Sequence, residues 1–199
     1  MTIRRILGWP AAFRAFNRLI GATRARDILV RDHIRPLPGA RVLDIGCGTG
    51  DIVHFLPGVE YVGFDENPDY IRTARAHFPG AHFSCERIDA YTPDVESFDV
   101  ALAFGVLHHL DDVEAGALLR LAYSSLRPGG RLITLDGCYV EGQHPVARRL
   151  VASDRGRYVR LRDDYLRLMG GVFHDINPVI RTDLLRVPYT HLIVECARA

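Results

Sequence analysis

Apolar residues along the chain fall into two rhythms. Between Arg41 and Asp136, short unbroken apolar runs near 41–45, 60–64, 82–85, 98–104 and 131–136 have the length of strands buried on both faces of a parallel sheet. The segments between them, 50–56, 68–77 and 112–126, can form helices. Such alternation predicts right-handed βαβ units and a doubly wound α/β sheet. Residues 1–35 carry helical spacing instead: Phe13, Phe16 and Ile20, then Ala25, Ile28 and Leu29. Two helices broken near Gly21 are expected there, and Pro36-Leu37-Pro38-Gly39 punctuates the chain before the first strand. After Asp136 the rhythm changes. Residues 138–170 hold no strand signal, but Tyr158, Leu161, Tyr165 and Leu168 form a helical stripe; runs at 176–181 and 191–196 then read as two final strands joined through Pro188.

Length and composition narrow this picture. At 199 residues the chain suits one α/β domain, divided into N-terminal helices (1–35), a central core (36–137) and a final segment (138–199). Its hydrophobic fraction of 48% and charged fraction of 25% are ordinary, and no apolar run approaches the roughly 20 residues that span a bilayer. Arg14, Asn17 and Arg18 interrupt the N-terminal apolar residues, unlike a signal peptide, so a cytoplasmic protein without membrane insertion is expected. Cysteines 47, 85, 138 and 196 lie far apart without a CxxC pair, which suggests reduced thiols and no metal knuckle. A net charge of +1 gives no electrostatic reason to expect nucleic acid as a partner.

The first strand ends in Asp44-Ile45-Gly46-Cys47-Gly48-Thr49-Gly50. Glycines at this place let a ligand approach the backbone. A dinucleotide loop wants Gly-x-Gly-x-x-Gly and a pyrophosphate on a helix N-terminus, yet the third glycine position here is Asp51. Acidic surroundings favour instead a ligand with an ammonium and a sulfonium, as S-adenosylmethionine has. Two further acids stand at successive strand ends. Asp65 follows Tyr61-Val62-Gly63-Phe64, where a carboxylate can accept ribose hydroxyls, and Asp89 lies in Glu86-Arg87-Ile88-Asp89-Ala90, within reach of an adenine amino group.

With Val42-Leu43 before the loop, Gly63-Phe64-Asp65-Glu66-Asn67-Pro68, Ser97-Phe98-Asp99-Val100, Val106-Leu107-His108-His109-Leu110 and Leu126-Arg127-Pro128-Gly129-Gly130, the chain closely resembles the class I S-adenosylmethionine-dependent methyltransferases over residues 36–137. Its flanks look similar to a bacterial small-molecule subgroup of the methyltransferase type 11/12 kind. The resemblance implies a Rossmann-like seven-stranded sheet with an antiparallel last strand, helices on both faces and an N-terminal helical lid. It assigns the cofactor S-adenosylmethionine to Asp44, Gly46, Cys47, Gly48 and Gly50 on the loop, to Asp65, Glu66 and Asn67, to Ile88, Asp89 and Ala90, and to Phe104 and Gly105 after the fourth strand.

Methyl transfer is an in-line displacement, so the protein aligns the acceptor and, for a weak nucleophile, removes a proton. His108, His109, Asp136, His144 and His191 are the candidate bases, with His109, Asp136 and His144 put forward as catalytic; these three also have plainer readings as packing, strand-end and helix-start residues. Residues 141–170 hold seven arginines against four carboxylates, which is either a solvated helix face or a grip on an anionic acceptor group by Arg155, Arg157 or Arg160. The family's last hairpin would bring Tyr189 and His191 to the acceptor pocket. The leading expectation is a small-molecule acceptor methylated at a hydroxyl oxygen of a sugar or other metabolite. A non-catalytic S-adenosylmethionine-binding partner subunit and an RNA or protein methyltransferase are the alternatives.

Overall fold

The computed structural model describes residues 21–154 and 156–199. Seven strands form one sheet: β1 (Arg41–Ile45), β2 (Glu60–Asp65), β3 (His82–Cys85), β4 (Phe98–Phe104), β5 (Leu126–Gly137), β6 (Asp175–Arg181) and β7 (His191–Ala197). Their order is β3-β2-β1-β4-β5-β7-β6. Strands β1 to β5 pair in parallel, whereas β7 runs antiparallel to both β5 and β6. The order reverses between β1 and β4, and a crevice opens there at the carboxyl ends of the strands.

Burial explains why the central strands lack a polar face. Val42, Leu43 and Ile45 of β1 are all inaccessible, because helices cover both sides of the sheet. On one face α3 (Asp112–Ser125) and α5 (Arg162–Gly170) bury Leu118, Leu119, Tyr165 and Met169 with Leu43, Ala101 and Leu132. On the other, α1 (Ala22–Leu29) and α2 (Pro68–His77) bury Ile28, Leu29 and Ile71 with Val42, Leu102 and Ile133. Local chemistry sets the helix starts. Asn67 caps α2 by accepting from Asp69 N and Tyr70 N, with Pro68 at the first helical position; Asp111 and Glu114 form a reciprocal capping box on α3. A fourth helix, α4 (Pro145–Ala152), precedes the strap 153–160 that leads into α5. At the outer edge, β6 carries Pro178, which removes one ladder donor and blunts further pairing.

The structure departs from the sequence expectation at the segment after the glycine loop. The helix expected over 50–56 is only a single 3₁₀ turn, Val53–Phe55. Gly50 (φ +68°) delays its start, and Pro57 with Gly58 (φ +74°) stops the chain immediately afterwards. The loop therefore does not open into a helix long enough to present an N-terminal dipole to a phosphate. The second of the two expected N-terminal helices is α1, continued by a π turn over Val30–Ile34 and pinned to the sheet through His33 Nδ1 and Glu195 Oε1 at 2.8 Å. The first, with Trp9, Phe13 and Phe16 and the proposed lid, lies outside the described residues. No described helix is long and apolar enough to cross a membrane.

Candidate functional site

The glycine loop forms the floor of the crevice. Gly46 has φ +71°, and a Cβ there would sit 2.7 Å from Val106 Cγ2, so only glycine lets the loop pass under the β4 turn. Gly48 has φ +56° with open space at the missing Cβ, a surface on which a ligand can lie against bare backbone. Asp65 ends β2 and closes the floor: its Oδ2 accepts from Gly48 N at 3.0 Å and its Oδ1 from Asn67 N at 2.8 Å. Each oxygen keeps acceptor capacity for a further hydroxyl, as two ribose hydroxyls require.

Beneath the loop, Asp44 is buried and accepts from Tyr61 Oη at 2.5 Å. Burial lifts its pKa to about 7 against the opposing Tyr61 bond, and the neighbouring Asp65 charge adds to the rise. Burial also raises the pKa of Asp65. Among the described residues, the basic group whose charge acts on Asp44 is Arg26, itself paired with Asp51 at 3.2 Å. Asp51 therefore acts as an ion-pair partner that ties α1 to the loop. Among the described residues the donor set is thus rich in acceptors and short of positive charge, and it fits the ammonium, sulfonium and ribose of S-adenosylmethionine better than a pyrophosphate. Cys47 lies in the loop beside Gly63, and burial raises its pKa well above the usual thiol range, so it packs as a neutral thiol. Around the rim, Glu66 and Asp89 are exposed and both pair with Arg87, while Ile88 is half-buried and Ala90 exposed in the turn after β3. Phe104 ends β4, and Gly105 N donates to Leu135 O at 2.7 Å.

The chemistry-bearing groups gather at the ends of β4 and β5. His108 is buried in a 3₁₀ turn after β4, and Asp136 is buried near the end of β5. Asp136 Oδ1 accepts from His108 N at 3.1 Å and lies 2.8 Å from His108 Nδ1. Although burial alone would lower the imidazole's pKa, the hydrogen bond and charge of Asp136, with a contribution from Asp154, hold it above the ordinary histidine value. The ring's orientation follows from its neighbours. A Cβ on Gly105 would meet His108 Cε1 at 3.7 Å, and one on Gly156 would meet His108 Cδ2 at 2.2 Å. Nε2 lies between those two carbons, on the edge of the ring flanked by Gly105 and Gly156. Asp136 Oδ2 is buried without a hydrogen-bond partner, a condition that costs about 1–3 kcal/mol unless a ligand or water relieves it.

On the other side of the β5 end, Tyr189 lies across Gly137, where a Cβ would collide with its hydroxyl. Tyr189 Oη donates to Asp154 Oδ2 at 2.5 Å, and its ring packs 4.6 Å from that of His191. His191 opens β7 opposite Gly137 and is 9% exposed; its Nδ1 has no hydrogen-bond partner, and burial lowers its pKa to about 4.

The remaining sequence candidates separate. His109 is exposed and packs its ring 4.3 Å from His108. His144 is exposed, and its Nδ1 accepts from Val146 N as the cap of α4. Arg160 is committed to the fold: it donates to the carbonyls of Leu107, Leu110 and Tyr158 and pairs with Asp112. Arg155 lies outside the described residues. Sequence reasoning held His108 and Asp136 as separate candidate bases, put His109 forward, and did not pair His108 with Asp136. The adjacent pair of histidines was visible, but a 3₁₀ turn, with its three-residue repeat, decides which imidazole turns inward. It also missed Asp154, which was counted only in a charge balance.

With this geometry in view, the chain matches the methyltransferase-domain family over residues 43–132. It is 31% identical over 206 residues to a trans-aconitate 2-methyltransferase of Variovorax paradoxus, covering 96% of this chain and 76% of that protein. It is 37% identical over 120 residues to a ubiquinone biosynthesis O-methyltransferase of Azorhizobium caulinodans, covering 54% of this chain and 47% of the relative, so the chain spans about half the length of that relative. Among solved structures, phosphoethanolamine N-methyltransferase 2 of Haemonchus contortus, in complex with phosphomonomethylethanolamine and S-adenosylhomocysteine, aligns with a TM-score of 0.77 at 16% identity, over 98% of this chain and 58% of the other. At that identity the likeness concerns the fold alone.

Proposed function

The chain belongs to the S-adenosylmethionine-dependent methyltransferases, and from that premise we propose that it methylates a small molecule at a hydroxyl oxygen of a sugar or other metabolite. The observation that carries this reading is the buried His108–Asp136 pair at the carboxyl ends of β4 and β5, next to the glycine loop's crevice. A carboxylate attacks as the anion it already is at neutral pH, whereas an ammonium or a hydroxyl must give up a proton. A hydroxyl is a weak nucleophile, and a positioned base is what its methylation needs.

Bound S-adenosylmethionine supplies an electrophilic methyl group. Asp65 would hold the ribose and the backbone of Gly46 to Gly50 the methionine part, with Asp44 facing its ammonium. The acceptor hydroxyl then donates its proton to His108 Nε2. Asp136 keeps Nδ1 as the protonated nitrogen, so Nε2 is the free base, and it stabilises the imidazolium that forms. The strap holds the histidine in place, because Tyr158 N donates to His108 O at 2.9 Å. The four thiols are unpaired, which supports the cytoplasm as the compartment.

Two measurements test the proposal. Calorimetry with S-adenosylmethionine should show binding, and failure to bind alongside tight NAD binding would overturn the cofactor reading. A panel of hydroxylated metabolites, amines and carboxylates, followed by release of S-adenosylhomocysteine, should place turnover among the hydroxyl compounds; turnover confined to amines would reject the oxygen acceptor.

A further inference from the structure

Tyr61 stands on β2 two residues before Gly63, which lies opposite Asp44 in the β1–β2 ladder, so the three positions share one face of the sheet. A Cβ on Gly63 would lie 2.9 Å from Tyr61 Cε1 and 3.0 Å from Cys47 Sγ, so the bare glycine leaves the gap through which the tyrosine ring reaches the aspartate. The ring packs 5.6 Å from that of Phe83 on β3, and Phe83 in turn lies against Gly50 of the loop. The Tyr61 hydroxyl donates to Asp44 Oδ2 at 2.5 Å, and both residues are buried. Among the described residues no other side chain donates to this carboxylate. The charges that act on the pair, again among the described residues, are those of Asp65 on β2, Asp51 in the loop and Arg26 on α1, with the neutral thiol of Cys47 alongside. A phenylalanine would fill the same apolar space, so packing alone does not call for the hydroxyl.

Resting on the methyltransferase reading above, we propose that Tyr61 is a positioning residue for cofactor capture: its hydroxyl holds the Asp44 carboxylate by one oxygen and so sets the other to take the ammonium of S-adenosylmethionine. A carboxylate has acceptor capacity for both partners. Burial and the adjoining Asp44 charge raise the pKa of Tyr61 well above the usual phenol range, so the tyrosine is the donor in this bond. The bond also acts on charge. Burial lifts the Asp44 pKa to about 7, and the Tyr61 hydrogen bond opposes that rise, which keeps a larger share of Asp44 ionised at neutral pH. An ionised carboxylate attracts an ammonium by charge as well as by hydrogen bond, whereas the protonated acid offers no charge. Without the hydroxyl, Asp44 would take up its proton at a higher pH and its side chain would lose its tether. The consequence is confined to the amino-acid end of the cofactor, since the ribose is assigned to Asp65.

The test compares two ligands of the full chain by calorimetry. S-adenosylhomocysteine carries the amino-acid end; 5′-methylthioadenosine lacks it and keeps the ribose and adenine. Tyr61→Phe should weaken S-adenosylhomocysteine about tenfold and leave methylthioadenosine unchanged within about twofold. In an Asp44→Asn background the same change should add little, because the two residues act as one unit. Wild-type affinity for S-adenosylhomocysteine should fall about tenfold from pH 8 to pH 6 as Asp44 takes up its proton, while methylthioadenosine stays level. Both ligands meet Asp65 through the ribose, so a proton there cancels in the comparison. Tyr61→Phe should start the fall at a higher pH. Equal loss of both ligands in Tyr61→Phe would make the tyrosine a packing residue and overturn the proposal, as would additive penalties in the double variant. A level wild-type pH profile for S-adenosylhomocysteine would also overturn it, and that measurement needs no variant to fold. Failure of the wild type to bind S-adenosylhomocysteine at any pH would instead sink the methyltransferase reading, and the proposal with it.

Discussion

His108 Nδ1 lies 2.8 Å from Asp136 Oδ1 across 28 residues of sequence, and the same carboxylate oxygen also accepts the His108 backbone N–H. This double attachment fixes the ring and the turn that carries it. His108→Asn and Asp136→Asn should each retain cofactor affinity within a few-fold while transfer slows by about 10²–10⁴, the usual contribution of a positioned base. Single-turnover measurements at saturating cofactor would check this. Because Asp136 raises the imidazole's pKa, the wild-type rate should climb with pH through a value above the ordinary 6.5 before levelling.

Gly156 is the point where the strap rests on the histidine. A methyl group there would lie 2.2 Å from His108 Cδ2 and 2.7 Å from His108 O. Gly156→Ala must push the strap or the ring away, costing about 1–3 kcal/mol of stability and more than tenfold in transfer. Comparing melting temperature with turnover separates the two effects.

Asp65 closes the floor of the crevice by accepting from Gly48 N and Asn67 N. Hydrogen bonds to a charged group contribute about 1.5–3 kcal/mol each, so Asp65→Ala should weaken S-adenosylmethionine binding by roughly two orders of magnitude or more. The backbone contacts to Gly48 and Asn67 would be lost as well, and calorimetry of Asp65→Asn, which keeps an acceptor, should recover part of the affinity.

Arg160 fastens the strap rather than standing open to a ligand. Arg160→Ala should lower stability by about 2–4 kcal/mol, because two part-buried carbonyl acceptors, those of Leu107 and Leu110, lose a charged donor together. Arg160→Lys should not restore it, since an ammonium cannot reproduce the planar fork. Urea unfolding of both variants measures the difference.

His191 gives stability its own dependence on pH. Its folded-state pKa is about 4, below the ordinary 6.5, so the unfolded chain binds more protons between those values. The stabilisation is complete above pH 6.5 and is lost as pH falls toward 4, by about 3 kcal/mol over the window. Asp44 works in the opposite sense, since its pKa is raised to about 7 and its contribution is lost as pH rises toward that value. His191→Phe isolates the first effect: its melting temperature should fall less than the wild type's between pH 6.5 and 4.

The sequence by itself determined the strands of the sheet, because burial on both faces demands unbroken apolar runs that need no partner to be read. It also made the glycine loop and its acids legible as a candidate cofactor site, because they sit close together along the chain. It overstated the helix after that loop, where the positive φ of Gly50 and the Pro57-Gly58 stop outweigh apolar spacing. Which histidine turns inward, which arginine is spent on carbonyls, and that Tyr189 reaches Asp154 were decided only by the tertiary structure. Those relations join residues 28 to 53 positions apart at the ends of different elements, and propensity and periodicity act only along a local stretch of chain.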